Sequence, residues 1–407
     1  MNKVVFFALL LLASCARDRG DNAQQFSYEP DFTALAIDAQ RLGRVDSLLQ
    51  EYVDKGIVPH ALTFVAKEGQ VVHHKAFGWR DVEKQIPLEK DDLFRMYSQT
   101  KAVTTVALMT LFEQGKFQLD DPVAWYIPGM TNRVVDKQGG EEGTRPAAGP
   151  VLIRHLLSHS AGINTSGVNQ REYDSLEEMV KAIVQKPLLY DPGSGWNYHP
   201  SADVWGYLVE YFSGKPLREY VREAVLEPLG IKDMDYYHDP ALASRFVTIY
   251  RERDGKITPA PEMWSGRYPF DNDQQFAQGG TGLNGTIEGY ARFCQMILNG
   301  GEFNGHRVLG RRTLEIMAKD QLAPAAGGNN FHFGIGFQVY PGESNRWNSP
   351  RGASPLVSPG ALSWGGMGNT DYIIDPVEKM VIILYTNRVP DTMLWEKFLN
   401  TVYQALE

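Results

Sequence analysis

The sequence is poor in cysteine and in dense positive charge, and both shortages restrict what the protein can be. Only two cysteines occur among 407 residues, Cys15 and Cys294. Because Cys15 lies in an N-terminal signal described below and Cys294 lies in an apolar helical pattern, we expect a buried thiol and no intrachain disulfide. The net charge is −9 at pH 7, and no dense lysine or arginine run occurs. This charge pattern argues against nucleic acid as a partner.

Several short motifs that mark common enzyme classes are also missing. No serine has a glycine at both the −2 and the +2 position, so the nucleophile elbow of the α/β-hydrolases is absent. No P-loop occurs, and we expect no dinucleotide-binding unit. We therefore expect no cofactor. The chain is nevertheless long enough for a large core and about two domains, and its composition is ordinary for a globular protein.

The N-terminal residues form a pattern separate from the folded part. A basic lead, Met1 to Lys3, precedes an apolar run from Val4 to Leu12 that is too short for a stable membrane-spanning helix. The next residues, Leu12-Ala13-Ser14-Cys15, resemble a bacterial lipobox, which is cleaved before a cysteine that becomes lipidated. We expect an exported lipoprotein anchored to a membrane and facing the periplasm or the cell exterior. Residues 1–15 would be the signal and residues 16–31 a flexible tether; the alternative is a plain secretory signal.

One serine combines a lysine three residues later with a following apolar helix. Ser98 lies in the stretch from Phe94 to Lys101, and residues 102–112 are apolar at helical spacing. In the first turn of such a helix, positions i and i+3 share a face, which would place the Lys101 amine beside the Ser98 hydroxyl. The helix dipole favours negative charge there. A desolvated lysine can lose its proton and act as a base toward a hydroxyl.

The pattern Phe-Arg-x-Tyr-Ser-x-Thr-Lys before an apolar helix resembles the nucleophile motif of the serine β-lactamase and penicillin-binding-protein superfamily. It is most similar to the class C β-lactamase-like carboxylesterases, and the resemblance runs from about Leu42 to the C-terminus. It implies a mixed α/β (α+β) fold in which helices flank a central antiparallel sheet. Residues 32–97 and 285–407 would form the sheet domain. Residues 98–284 would form a mostly helical domain carrying the nucleophile helix.

A second motif of this family is a tyrosine just before a helix, usually as Y-x-N or Y-S-x-S. Tyr198 stands in that place, before an apolar helix from Ala202 to Phe212, whereas His199 and Pro200 depart from both forms. The alternative is that Tyr198 is only a core residue. Residues 385–387 also spell Y-x-N, but they follow an apolar run typical of a core strand and lie at the wrong end of the motif order.

The third family motif lies on the strand that lines the site, as K-T-G or H-x-G in penicillin-interactive relatives. Here the matching place holds Trp364-Gly365-Gly366, similar to the W-x-G of the β-lactamase-like esterases. A lysine there helps to bind the β-lactam carboxylate, which tryptophan cannot do. Glycine suits close approach of the backbone to a ligand. A literal H-x-G alternative, residues 332–334, lies one strand too early.

The resemblance also implies how the remaining site residues act. The backbone N–H groups of Ser98 and Met367 would form an oxyanion hole, and Lys101 and Tyr198 would share the role of base. Residues 341–360 form a loop rich in proline, glycine and serine, and such long loops are often functional. We expect Trp347 in this loop to contact the substrate, together with Trp364 and its two following glycines.

Two histidines four residues apart, His155 and His159, raise the possibility of a metal site on one helix face. No H-E-x-x-H motif accompanies them, and no third ligand can be assigned. We therefore expect a structural role near a helix end and no metal.

Together these patterns predict a serine hydrolase that acts through an acyl-enzyme on Ser98, with a small-molecule acyl substrate. A carboxylesterase for small or medium acyl esters is the first expectation. An acyltransferase with the same acyl-enzyme, a β-lactamase or a D-amino-peptide hydrolase are alternatives. A binding or sensor module that is acylated without turnover is a further one, kept open by Pro200, which cannot supply the amide of the usual asparagine.

Overall fold

The protein is described by a computed structural model. The residues described are 25–131, 133–136, 143–169, 172–198, 201–263, 269–270, 276–323, 331–341 and 354–407.

The described residues form a central sheet built from both ends of the chain, with helices packed on both of its faces. The helices are α1 (Ala39–Leu42), α2 (Arg44–Asp54), α3 (Thr100–Glu113), α4 (Ile153–Leu157), α5 (Leu176–Val184), α6 (Ala202–Ser213), α7 (Leu217–Val221), α8 (Ile287–Leu298), α9 (Arg311–Met317) and α10 (Leu394–Tyr403). The strands are β1 (His60–Lys67), β2 (Gln70–His73), β3 (Ala76–Asp81), β4 (Ile86–Pro87), β5 (Phe94–Arg95), β6 (Val134–Asp136), β7 (Thr144–Pro146), β8 (Tyr250–Arg253), β9 (Lys256–Pro259), β10 (Asn284–Gly285), β11 (Glu302–Phe303), β12 (His306–Arg307), β13 (Gln338–Val339), β14 (Leu362–Gly366), β15 (Thr370–Asp375), β16 (Met380–Tyr385) and β17 (Arg388–Val389).

The central sheet is antiparallel and has the strand order β13-β14-β15-β16-β1-β3-β4, with β2 also paired to β1. Its middle is the pair β1 and β16, in which Leu62 lies opposite Tyr385. The N-terminal and C-terminal parts of the chain therefore build one sheet, as the fold class predicted from the motifs requires.

Alternate side chains of the central strands belong to two different hydrophobic cores, one on each face of the sheet. In β16, Val381, Ile383 and Tyr385 join the larger core, whereas Met380, Ile382 and Leu384 join the smaller one. Successive side chains of a strand point to opposite faces, so one apolar run serves both layers. Helices α1, α2 and α10 cover the smaller core, and α3 and α8 lie in the larger one.

Two predicted elements are shorter than the sequence pattern suggested. The sequence from Phe32 to Lys55 predicts one helix, but the first helix, α1, begins only at Ala39, because Asp38 caps it with hydrogen bonds from the Gln40 and Arg41 amides. Gly43 separates α1 from α2. The sequence of residues 331–340 predicts a strand, but only β13, two residues long, forms there. Gly336, at φ +81°, turns this segment where it crosses the α3 side chain Thr105.

The first described residues lie against the sheet domain, although the sequence assigned them to the tether. Phe26 packs between Phe64 and Phe303, at ring-centroid distances of 4.9 and 5.3 Å. Ser27 exchanges backbone hydrogen bonds with residues 69 and 71. Within the described part of the chain, no helix combines the length and the apolar character needed to cross a membrane.

Candidate active site

The turn that carries Ser98 is held by the backbone on both sides. Strand β5 pairs with β10, and the Met96 amide donates to the Leu283 carbonyl at 3.1 Å. Residues 97–99 then form a 3₁₀ turn, and α3 begins at Thr100. Ser98 therefore lies just before the α-helix. The sequence had predicted a position in the first turn of that helix. Tyr97 has φ +47°, a conformation that non-glycine residues adopt rarely.

Lys101 reaches back across this turn to the serine. Its Nζ donates to Ser98 Oγ at 3.1 Å and to the carbonyl oxygen of Gly280 at 2.8 Å. The lysine is buried, since only 7% of its surface is exposed. The amine is thus fixed between the serine hydroxyl and a carbonyl on a distant segment of the chain.

A buried carboxylate stands behind that carbonyl. The Gly280 amide donates to Asp203 Oδ1 at 3.2 Å, and Asp203 is fully buried in the first turn of α6. The neighbouring Gly279 packs so closely on α6 that an added Cβ would overlap the Ala202 carbonyl oxygen. Helix α6 therefore fixes the segment to which the Lys101 amine is bound.

Tyr198 comes from the loop before α6 and faces the same amine. Lys101 Nζ lies 4.8 Å from the centroid of the Tyr198 ring. The indole Nε1–H of Trp364 donates to the Tyr198 hydroxyl at 3.0 Å. Burial alone would raise the pKa of the Tyr198 phenol. The charge of Lys101 and hydrogen bonds from Lys101, Ser98 and Trp364 outweigh burial and hold this pKa below its ordinary value.

His159 packs under the tyrosine. Its ring centroid is 4.9 Å from that of Tyr198, its carbonyl accepts from the Asn197 amide at 3.0 Å, and its Nδ1 lies 3.1 Å from Ser201 Oγ. These contacts hold the loop from both sides of Tyr198. His155 Nδ1 accepts from the Leu152 amide at 3.2 Å, at the start of α4. Within the described ranges, no group of three or more His, Cys, Asp or Glu side chains is arranged to hold a metal ion.

The third motif lies on β14, directly beside the nucleophile turn. Trp364 is buried, and an added Cβ on Gly366 would overlap the Met96 carbonyl oxygen. Gly368 lies against the Tyr97 ring in the same way, since a Cβ there would be 2.9 Å from Cε2. Met367, between these two close contacts, has an exposed side chain. Gly365 packs on Asp371 of the neighbouring strand.

The structure thus brings together Ser98, Lys101, Tyr198 and the strand from Trp364 to Gly366. Trp347, Cys15, His199 and Pro200 fall outside the described residues. The literal H-x-G alternative has a separate partner, because His332 Nδ1 lies 2.7 Å from Asp320 Oδ2. The second Y-x-N also has a structural role, since the Tyr385 hydroxyl donates to Gln99 Oε1 at 2.6 Å.

Sequence reasoning missed Asp203, Gly280 and Gln99 as contributors to this arrangement. A signal existed for Asp203, since a carboxylate near the start of an otherwise apolar helix is costly to bury without a partner. Gln99 is a fully buried amide next to the nucleophile. Nothing in the spacing of Gly280 indicated that its carbonyl would bind Lys101.

This geometry agrees with the comparisons with known proteins. The chain belongs to the Beta-lactamase family, whose profile matches residues 45–397. It is 30% identical over 363 residues to "Protein Rv1367c" of Mycobacterium tuberculosis, covering 84% of this chain and 89% of the relative. It is 28% identical over 393 residues to "Esterase EstB" of Burkholderia gladioli, covering 89% and 95%.

A solved structure supports the fold. "EstCE1, a hydrolase with promiscuous acyltransferase activity", superposes with a TM-score of 0.74 at 24% identity, covering 90% of this chain and 99% of that one. The family and the fold class predicted from the motifs are therefore confirmed. The chain is a member of the serine β-lactamase-fold hydrolases.

Proposed function

We propose that this protein is a carboxylesterase that hydrolyses small or medium acyl esters through an acyl-enzyme on Ser98. The observation that carries the proposal is the 3.1 Å hydrogen bond from Lys101 Nζ to Ser98 Oγ, made beside a tyrosine whose hydroxyl also accepts from Trp364. A nucleophile within hydrogen-bond reach of a base that other groups orient is the arrangement that covalent catalysis needs.

Tyr198 takes the role of base in this proposal. Burial raises the pKa of its phenol, but the Lys101 charge and the hydrogen bonds to the hydroxyl lower it further than burial raises it, which favours the phenolate as the base. The phenolate accepts the Ser98 proton as Oγ bonds to the acyl carbon. Tyr198 then gives that proton to the leaving alkoxide as the ester bond breaks. Water repeats the sequence on the acyl-enzyme and releases a carboxylic acid and free Ser98.

The backbone N–H groups of Ser98 and Met367 are proposed to bind the oxyanion. Support comes from Gly366 and Gly368, one on each side of Met367, which lie close against the Met96 carbonyl and the Tyr97 ring. One such donor is typically worth about 2.7–4 kcal/mol of transition-state stabilisation.

Trp364 favours an ester over a β-lactam. Its indole N–H donates to Tyr198, and the side chain carries no positive charge to pair with the carboxylate of a β-lactam. The 28% identical relative named as an esterase supports the same choice.

The test is turnover of p-nitrophenyl butyrate by the purified protein beside its Ser98→Ala variant. We expect turnover that the variant loses. A chromogenic cephalosporin should be hydrolysed much more slowly than the ester. Added butanol in the assay separates hydrolysis from acyl transfer, because transfer yields butyl butyrate. A stable acyl adduct on Ser98, seen by intact mass without product, would contradict the proposal and indicate a binding module.

We also propose that Cys15 carries a lipid that anchors the protein to a membrane facing the periplasm or the cell exterior. The support is the sequence Leu12-Ala13-Ser14-Cys15 after an apolar run. The full chain should fractionate with membranes in a bacterial host and the Cys15→Ala variant should not. Equal partition of the two into the soluble fraction would contradict lipidation.

A further inference from the structure

The residue next to the nucleophile is a buried amide that bonds in three directions. Gln99 is fully buried. Its Oε1 accepts from the Tyr385 hydroxyl at 2.6 Å, and its Nε2 donates to the Thr370 carbonyl at 3.1 Å. Its own carbonyl accepts from the Tyr290 hydroxyl at 3.3 Å. An amide matches these side-chain partners because it donates and accepts at once.

The side-chain partners of Gln99 lie in one row across the sheet. Thr370 of β15 is opposite Tyr385 of β16 on one side and opposite Gly366 of β14 on the other. Gly366 directly precedes Met367. The side-chain amide of Gln99 therefore binds Tyr385 and Thr370. These residues lie in the same row of the sheet as Gly366, which is next to Met367, the proposed second oxyanion donor.

We propose that Gln99 is a positioning residue that sets the separation between the Ser98 and Met367 N–H groups. This inference rests on the proposed acyl-enzyme function. Ser98 belongs to the nucleophile turn and Met367 directly follows β14, and the Gln99 side chain joins that turn to the sheet. A donor displaced from the oxyanion binds the transition state less well, while ground-state binding of the substrate changes little.

The fold does not depend on this amide alone. The turn is also held by the Gln99 amide on the Met96 carbonyl at 3.1 Å and by Met96 on Leu283 at 3.1 Å. The Thr370 hydroxyl adds a 3.4 Å bond to the Met96 carbonyl. A variant at position 99 can therefore keep the turn and still change its distance from β14.

The experiment compares kcat and KM for p-nitrophenyl butyrate in the full chain and in Gln99→Met, Tyr385→Phe and the double variant. Active sites are counted by fluorophosphonate titration, so that rates refer to folded protein. Gln295→Met is the matched control: this glutamine is also buried, and its side chain donates to Asn299 Oδ1 at the C-terminal end of α8.

We expect Gln99→Met to lower kcat about 10- to 100-fold with KM within about twofold. Tyr385→Phe should lower kcat less than Gln99→Met does. In the double variant the two losses should not add, because both substitutions remove the same hydrogen bond between Tyr385 and Gln99. Butylboronic acid forms a tetrahedral adduct with the serine and so resembles the transition state. Variants with a lower kcat should therefore bind it more weakly. Gln295→Met should leave kcat unchanged even where it lowers the melting temperature.

An unchanged kcat per titrated site in Gln99→Met, or a rise in KM alone, would overturn the inference. If Gln99→Met does not fold, Tyr385→Phe carries the test, since it removes a single hydroxyl, and an unchanged kcat would again overturn it. Wild-type protein without Ser98-dependent turnover would overturn the proposed function, and the inference with it. Normal wild-type turnover with an unaffected Gln99→Met would overturn only the inference.

Discussion

The Trp364 indole meets the Tyr198 phenol through its one polar atom. Nε1–H donates to the hydroxyl at 3.0 Å, and the ring centroids are 4.8 Å apart. An indole N–H is only a donor, so this bond is best made to the phenolate form. The tryptophan of the third motif therefore helps to lower the pKa of the tyrosine of the second.

Trp364→Phe should lower kcat/KM at pH 7 about tenfold, which corresponds to one hydrogen bond to a charged group. Without the donor the pKa of Tyr198 rises, so the acidic limb of the pH profile moves to higher pH and activity recovers in alkaline buffer. The measurement is kcat/KM against pH. Trp205→Phe is the control, because its buried Nε1 has no partner among the described residues. An unmoved acidic limb in Trp364→Phe would contradict this role.

Asp203→Ala should lower kcat about 10- to 100-fold, because the Gly280 segment that binds Lys101 loses its support. Asp203→Asn keeps an oxygen that accepts from the Gly280 amide and should retain more activity. Steady-state kinetics on titrated sites measure both. Asp38→Ala also removes a carboxylate that accepts backbone N–H bonds, at the start of α1, and should affect only stability. Equal losses in Ala and Asn variants would instead indicate that the charge of Asp203 is what matters.

Gly366→Ala should impair both stability and turnover. The added methyl would overlap the Met96 carbonyl and the Thr370 hydroxyl, so β14 must move away from the nucleophile turn. Overpacking of this kind costs about 1–3 kcal/mol, which thermal unfolding will show. Gly149→Ala is the matched control, because its Cβ would meet no atom within 4 Å. A Gly366→Ala variant with wild-type kcat would rule out this close approach as a requirement of catalysis.

His60 should make the fold sensitive to acid. Burial lowers the pKa of its imidazole from 6.5 to about 4 in the folded protein. As pH falls, His60 is therefore protonated in the unfolded chain at a higher pH than in the folded protein, and this favours unfolding. Its contribution to stability is complete above pH 6.5 and is lost as pH falls to about 4, which amounts to about 3 kcal/mol. His60→Asn can still donate to the Trp79 carbonyl, which His60 Nδ1 contacts at 2.8 Å.

The variant should therefore unfold in urea with a flatter pH dependence between 6.5 and 4. Part of the slope will remain, because burial lowers the pKa of His74 to about 4 as well. The exposed His306 provides the control for the change of residue type, measured as His306→Asn. Equal slopes in His60→Asn and wild type would refute the assignment.

The parts of the site that residue spacing predicted are local, whereas Tyr198 and Trp364 were predicted from their resemblance to family motifs. Ser98 and Lys101 are three residues apart on one turn, and a continuous apolar run predicted β16 as a core strand. The bond from Lys101 to Gly280 joins residues 179 positions apart, and no periodicity reports such a contact. The segment over residues 331–340 has strand-like alternation, yet Gly336 turns it against α3. In this segment the local pattern favours a strand, but tertiary packing against α3 limits the strand to β13.

The pairing of β1 with β16 has a consequence for synthesis of the chain. Leu62 of β1 pairs with Tyr385 of β16. At about 5–20 residues per second, the ribosome synthesises Tyr385 roughly 15 to 65 s after Leu62. Until then the nascent chain exposes one unpaired edge of β1, the kind of edge that can pair with another chain. Strands β14 to β16 emerge last and close that edge, so a ribosome that stalls before them leaves a product with Ser98 and Lys101 but without the strand that faces them.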